Sequence, residues 1–329
     1  MKPFPSRRTV LGSLAAGTLA GLSPAAWSQA SAFPSKPLKI IMPGAAGGGG
    51  DVLVRAMIPA LSQRLGQAVV VENRPGAIGT IGSLAAARSP ADGYTLVYGA
   101  ADSHSIAPHI LKQAPYDAKK DFVAVAPIGF THLALVVHAS HPAKNFAEFL
   151  QLAKAAREPL TFGSWGLGSS GQITMEALKQ VAGINLLHVP YNGTAPLIQA
   201  QLANQINCSI LPIPVAAGHV QSGSVRMLVI TARERLPGYT QIPIMKELGI
   251  AIDMGPWLGF LAPAGTPPDI VAKLNSAFEA VMGEEQVKDT MNKMSMVADR
   301  MSPQAYQTFY NNEFDRWGAY IRTANVKLE

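Results

Sequence analysis

The chain has 329 residues, 48% of them apolar and 15% charged, which is enough apolar material for a sizeable core and too much chain for a single one, so two domains are expected. Lys and Arg number 27 against 21 Asp and Glu, but the basic residues are scattered among acids and form no cluster that follows a phosphate backbone, which argues against nucleic acid. A single cysteine excludes an intramolecular disulfide and a cysteine metal cluster.

The N-terminus carries Ser6-Arg7-Arg8-Thr9-Val10-Leu11, then an uncharged stretch from Gly12 to Leu22, then small residues as far as Ala32. This is the pattern of an export signal over residues 1–28, with cleavage after Ser28 or Ala32. The paired arginines fit a twin-arginine signal or an ordinary secretory one. Removing the leader takes away Lys2, Arg7 and Arg8 and halves the formal charge of +6, leaving a mildly basic protein expected in the periplasm. Leu38 to Met42 reads as a strand, Gly44 to Asp51 as a glycine-rich loop, Val52 to Leu65 as an amphipathic helix and Ala68 to Val71 as a second strand. After the turn Asn73-Arg74-Pro75-Gly76 come a Gly/Ala-rich helix from about Ile78 to Arg88 and a strand from Tyr94 to Tyr98. Strands alternating with helices imply βαβ units and a mostly parallel sheet.

A second block follows the apolar runs Phe122 to Ala126 and Leu133 to Val137. It has a helix from Ala147 to Ala156 capped by Asn145, a strand from Leu160 to Phe162, and a second glycine-rich loop, Gly163 to Gly171, opening a helix from Gln172 to Val181. Strands at Leu186–Val189, Ile206–Leu211 and Val225–Ile230, and a helix from Thr194 to Ala203, are expected next. A strand from Leu258 to Ala262 and three helical stretches ending near Ile321 return the chain to the first domain. The domains are therefore placed at 33–132 with 250–329, and at 133–249.

Four consecutive glycines, Gly47 to Gly50, are costly in a regular element, and their usual purpose is close approach of the backbone to a ligand. A helix following such a loop aims free N–H groups and the positive end of its dipole into the same space, an anion site that needs no basic side chain. A nucleotide P-loop would require Lys and then Ser or Thr after the glycines, but Asp51-Val52 follows them. Glu72 lies where a ribose-binding acid would, yet no choice of glycines gives the dinucleotide spacing. Gly168-Ser169-Ser170-Gly171 is not a nucleophile elbow, so its serines are read as hydroxyl donors. His138 and His141 are expected to be solvent-exposed and not metal ligands, and Cys208 is expected to be a buried strand thiol.

Several blocks carry a family resemblance: Phe33-Pro34-Ser35-Lys36-Pro37-Leu38, Ala46 to Asp51, Val70 to Ala77, Pro90 to Leu96, Tyr116-Asp117 with Asp121-Phe122, Val189-Pro190-Tyr191, and Leu261 to Pro268. Together, in order over the whole mature chain, they resemble the Bug-type receptors of tripartite tricarboxylate transporters. The resemblance implies an α/β, two-domain periplasmic binding protein of type II-like form. Each domain would be a mixed, mostly parallel sheet flanked by helices, with the ligand in the interdomain cleft. It further implies a monomer that is not an enzyme, needs no cofactor or metal, captures a small carboxylate and delivers it to membrane permease subunits. A periplasmic sensor of the same fold, feeding a signalling system, is the alternative.

In this family the two glycine-rich loops form a pincer around one carboxylate, which carries over to Ala46, Gly47, Gly48 and Gly49, and to Gly168, Ser169 and Ser170. Ser103 and His104 after the third strand, Trp165, and Asn192 and Thr194 at a third helix start are candidates for reading the rest of the ligand. The chain departs from the family pattern at Pro43-Gly44-Ala45, which lacks an aromatic wall, at Gln172, often His, and at Trp165, which either stacks on an aromatic ligand or packs on its own domain. Asn207 stands where receptors for amino acids tend to have Asp, which favours a di- or tricarboxylate or an aromatic carboxylate over an amino acid.

Overall fold

The computed structural model describes residues 33–326 apart from Met254, Ser295 and Asn325, so the export signal read over residues 1–28 lies outside the described residues. The first elements are β1 (Leu38–Met42), α1 (Gly49–Leu65), β2 (Val69–Asn73), α2 (Thr80–Ala87), β3 (Thr95–Ala100), α3 (Ala107–Ile110) and β4 (Phe122–Phe130). The chain then crosses to β5 (Leu133–His138), α4 (Phe146–Ala155), β6 (Leu160–Ser164), α5 (Ser170–Ala182), β7 (Leu186–Pro190), α6 (Thr194–Leu202), β8 (Cys208–Pro212), α7 (Ile213–Gln221) and β9 (Val225–Thr231). It returns through β10 (Trp257–Pro263), α8 (Pro268–Met282), α9 (Glu285–Lys293), β11 (Val297–Ala298) and α10 (Pro303–Ala324).

The strands form two sheets, ordered β11-β4-β10-β3-β1-β2 and β7-β6-β8-β5-β9. Both are mixed. In the first, β1 is parallel to β2 and β3, whereas β10 runs antiparallel between β3 and β4. In the second, β6 is parallel to β7 and β8, and β5 is antiparallel to β8 and β9. The antiparallel share exceeds what alternating strands and helices suggest, because β5 and β10 are the strands on which the chain enters each sheet from the other. Such an entering strand is free of the right-handed βαβ crossover that forces parallel pairing.

Strand periodicity assigns each face to a core. Leu38, Ile40 and Met42 of β1 pack with Leu53, Val54, Met57 and Leu61 of α1, and with α8, on one side of the first sheet. Ala134 and Val136 of β5 likewise face the α6 and α7 layer of the second sheet. The opposite faces are not separate cores. Ile41 and Val97 from the first sheet, and Leu133, Leu135 and Phe162 from the second, belong to one continuous apolar cluster. Helix α10 bridges it: Tyr306, Tyr310, Trp317 and Ile321 all belong to the cluster, and α10 contacts both β4 of the first sheet and α5 beside the second.

Two elements differ from expectation. Helix α1 starts at Gly49, not at Val52, because Asp51 sits one turn inside and its carboxylate accepts the Gly47 amide at 2.9 Å, organising the start of the helix. Helix α7 was not expected at all: Pro212, Pro214 and Gly218 obscure its periodicity, although proline at the second helical position gives up an amide that has no intrahelical acceptor.

Candidate functional site

Loops of the two sheets enclose a cleft of about 870 Å³. Its wall is built mainly from loops at the carboxyl ends of strands, where open α/β sheets hold ligands. From the first lobe come the loop after β1, Pro75, Gly76, Ile78 and Gly79 after β2, and Tyr98, Ala100, Asp102 and Ser103 at and beyond the end of β3. From the second come Trp165, Gly166, Leu167 and Ser169 after β6, and residues 192–196 at the start of α6.

In the first loop Gly47 adopts φ +79°, a left-handed conformation that glycine reaches without strain. Gly50 is needed for a different reason: a Cβ there would lie 2.6 Å from the Tyr98 hydroxyl oxygen. The loop is locked from within. Asp51, only 3% exposed, accepts from Gly47 N, from Arg55 Nε at 2.8 Å and from Asn73 Nδ2 at 2.9 Å, while Asn73 also donates to the Gly44 carbonyl. Burial alone would raise the Asp51 pKa, but these hydrogen bonds and the Arg55 charge hold it down at about 2. With Gly48 as N-cap, helix geometry leaves the Gly49, Gly50 and Asp51 amides without intrahelical acceptors, and all three residues border the cleft.

The second loop has a similar sequence and a different state. Ser169 caps α5 by accepting from Gln172 N, its hydroxyl donates to the Gly166 carbonyl at 2.7 Å, and Gly168 N donates to Gln172 Oε1 at 2.6 Å. The Ser170 amide donates to Asp102 Oδ1 at 3.0 Å, and the Trp165 indole donates to Asp102 Oδ2 at 3.1 Å. One carboxylate of the first lobe thus joins two donors of the second. Burial pushes the Asp102 pKa above the ordinary carboxylate range, and the hydrogen bonds from Ser170 and Trp165 pull against that shift.

Of the residues singled out from sequence, Ala46, Gly47, Gly48, Gly49, Ser103, Trp165, Ser169, Asn192 and Thr194 all line the cleft. Gly168 and Ser170 are buried beside that wall and do not line it. His104 lies behind Ser103, fully buried among Tyr116, Phe122, Trp257 and Tyr310, with Nδ1 2.8 Å from the Ser103 hydroxyl. Burial depresses its pKa to about 3, so it is a neutral buttress at physiological pH. Trp165 packs on its own domain, its ring covering Gly171, where a Cβ would meet it at 2.5 Å, and it also borders the cleft.

Asn207 lies away from the cleft, its Oδ1 accepting from Thr161 N at 2.8 Å and Thr161 Oγ1 at 3.0 Å, so its lack of charge carries no information about the ligand. His141 is buried, not exposed, because its Nδ1 accepts the Ala143 amide at a tight turn. Asp102, Tyr98 and Ile78 line the cleft and were not singled out from sequence. The sequence signal for Asp102 is an acid just past the end of a parallel strand, beside Ser103 and His104. Among the described residues the cleft wall contains two acids, Asp51 and Asp102, and no Lys, Arg or His. No group of His, Cys, Asp and Glu among the described residues is arranged to hold a metal ion.

The family model described as "Tripartite tricarboxylate transporter family receptor" matches residues 53–326. A UPF0065 protein of Cupriavidus necator is 33% identical over 306 residues, covering 93% of this chain and 92% of that protein. An R. palustris protein solved with adipate superposes with a TM-score of 0.83 at 29% identity, covering 90% of this chain and 99% of that one. MatC from Rhodopseudomonas palustris, solved with bound malate, gives 0.79 at 28% identity, covering 88% and 100%. The periplasmic binding protein BugD gives 0.80 at 27% identity, covering 90% and 100%.

Proposed function

The chain belongs to the tripartite tricarboxylate transporter receptor family, a family of periplasmic solute receptors and not of enzymes, and we propose that it captures a small organic carboxylate in the cleft and delivers it to membrane permease subunits. The observation that carries this reading is a wall with helix-start amides that lack intrahelical acceptors and, among the described residues, no basic side chain. Amides of Gly49, Gly50 and Asp51, with the dipole of α1 behind them, offer an anion several oriented donors without the rotamer cost of a lysine. The start of α6, at Asn192 to Ala195, adds donors from the opposite lobe, and ordered waters can extend either set at little cost in affinity.

In this reading the lobes are 33–132 with 250–329, and 133–249, and the receptor acts as a monomer after export through a twin-arginine or Sec signal. Di- and tricarboxylates and aromatic carboxylates are the classes to try first. The neighbours solved with adipate and malate support the first of these. The two lobes share a continuous apolar cluster under α10.

A thermal-shift screen of the mature protein against succinate, adipate, malate, citrate and benzoate tests the proposal. A ligand at about 100 times its dissociation constant adds about 2.7 kcal/mol of stability. At least one carboxylate should raise the melting temperature and be recovered unchanged after incubation. No shift with any carboxylate at millimolar concentration would overturn the assignment. Uptake of the identified ligand should fall when the gene is deleted, and unchanged uptake would remove the transporter role.

A further inference from the structure

Three helix starts border this cleft, those of α1, α5 and α6, and that of α5 is already taken. At α1 the neighbouring acid, Asp51, turns away from the free amides to bind Gly47, Arg55 and Asn73. At α5 the Ser170 amide and the Trp165 indole are both held by Asp102, which reaches across from the end of β3. We propose that Asp102 is a resident competitor of the ligand: a carboxylate entering the α5 side of the cleft displaces it from the Ser170 amide and the Trp165 indole. This inference rests on the carboxylate-receptor reading above and names the residue that sets its affinity.

Geometry and charge agree on this point. A carboxylate on two N–H donors, one of them a helix N-terminal amide, occupies the position that an incoming carboxylate would seek. The groups facing Asp102 give it no counter-charge. Tyr98 is a neutral phenol, and His104 behind it is neutral and buried. Asp51 already engages Arg55, and Ser170 and Trp165 contribute hydrogen bonds only. A second carboxylate beside Asp102 therefore meets repulsion that no Lys, Arg or His of the wall relieves. Displacement moves Asp102 toward water and leaves its two donors to the ligand. The Trp165 indole then acts as a hydrogen-bond donor to the ligand as well as an apolar surface.

The decisive experiment compares wild type with Asp102→Asn by isothermal titration calorimetry, using succinate, adipate, citrate and benzoate as probes. The variant keeps the side-chain shape and removes the charge, so every carboxylate that binds should bind it at least about tenfold more tightly. Because burial raises the Asp102 pKa above the ordinary carboxylate range, wild-type affinity should also increase as pH falls, while the variant's stays level apart from protonation of the ligand itself. A ligand-free control follows the Trp165 indole N–H by nuclear magnetic resonance, assigned with Trp165→Phe. Its resonance should titrate with pH in the wild type and not in Asp102→Asn. Unchanged or weaker carboxylate binding by Asp102→Asn overturns the proposal and leaves the receptor reading standing. If no carboxylate binds either protein, both fall.

Discussion

Asp51 is the residue through which the first loop is most directly tested. It is 3% exposed, accepts three hydrogen bonds and has its pKa drawn from the ordinary 3.8 to about 2, against a burial effect that acts the other way. That displacement corresponds to about 2 kcal/mol at neutral pH, reduced to about 1–2 kcal/mol by solvent screening across the open cleft. Asp51→Asn keeps one acceptor oxygen but turns an NH2 group toward donors that need an acceptor, so the charge term and at least one hydrogen bond are lost together. For a chain of this size the melting temperature should fall by about 2–5 °C at pH 7, read by circular dichroism or differential scanning calorimetry. The folded pKa is below the unfolded one, so the stabilisation is complete above about pH 4 and disappears as pH falls through about 2. The gap between wild type and variant should accordingly narrow over that interval. A variant that melts within about 1 °C of wild type at pH 7 would refute the claim that Asp51 fastens the loop.

Three further outcomes follow from packing. Gly50→Val would drive a Cβ to within 2.6 Å of the Tyr98 hydroxyl oxygen, so it should cost about 1–3 kcal/mol in denaturant melts and weaken carboxylate binding by displacing Tyr98 from the cleft wall. Trp317→Ala opens the apolar cluster shared by both lobes, with an expected loss of about 3–5 kcal/mol in a single cooperative transition; two separate transitions in the wild type would argue against a shared core. Cys208 is fully buried in β8 and burial pushes its thiol pKa far up, so it should resist thiol reagents in the folded protein at pH 8 and react once the chain is unfolded.

Much of the fold was legible in the chain because its signals are local. The alternation of β1, with Leu38, Ile40 and Met42 on one face and Ile41 on the other, needs only the two-residue period. Helix α4 has its Asn145 cap, whose side chain accepts the Glu148 amide, in plain view. The single core under α10 was not legible. Trp317 and Ile321 read as the apolar face of an ordinary helix, and nothing nearby in sequence says that the helix also packs on α5 of the other lobe.

The two glycine-rich loops show where the same limit falls within the site. Both have a strand, a flexible loop and a helix start, and the sequence pattern announces backbone donors at each. What a pattern does not report is which donors remain available. At α1 the answer is local, since Asp51 lies four residues from the Gly47 amide that it accepts. At α5 the occupant is 68 residues away in sequence from Ser170 and 63 from Trp165, and only the folding of the first lobe against the second brings Asp102 there. Equal motifs thus carry unequal anion capacity: α1 presents open amides to a ligand, whereas α5 presents them only after Asp102 has left. A pair of variants separates the two contributions. Asp51→Asn should weaken carboxylate binding and Asp102→Asn should strengthen it, because one acid builds its helix start while the other fills it.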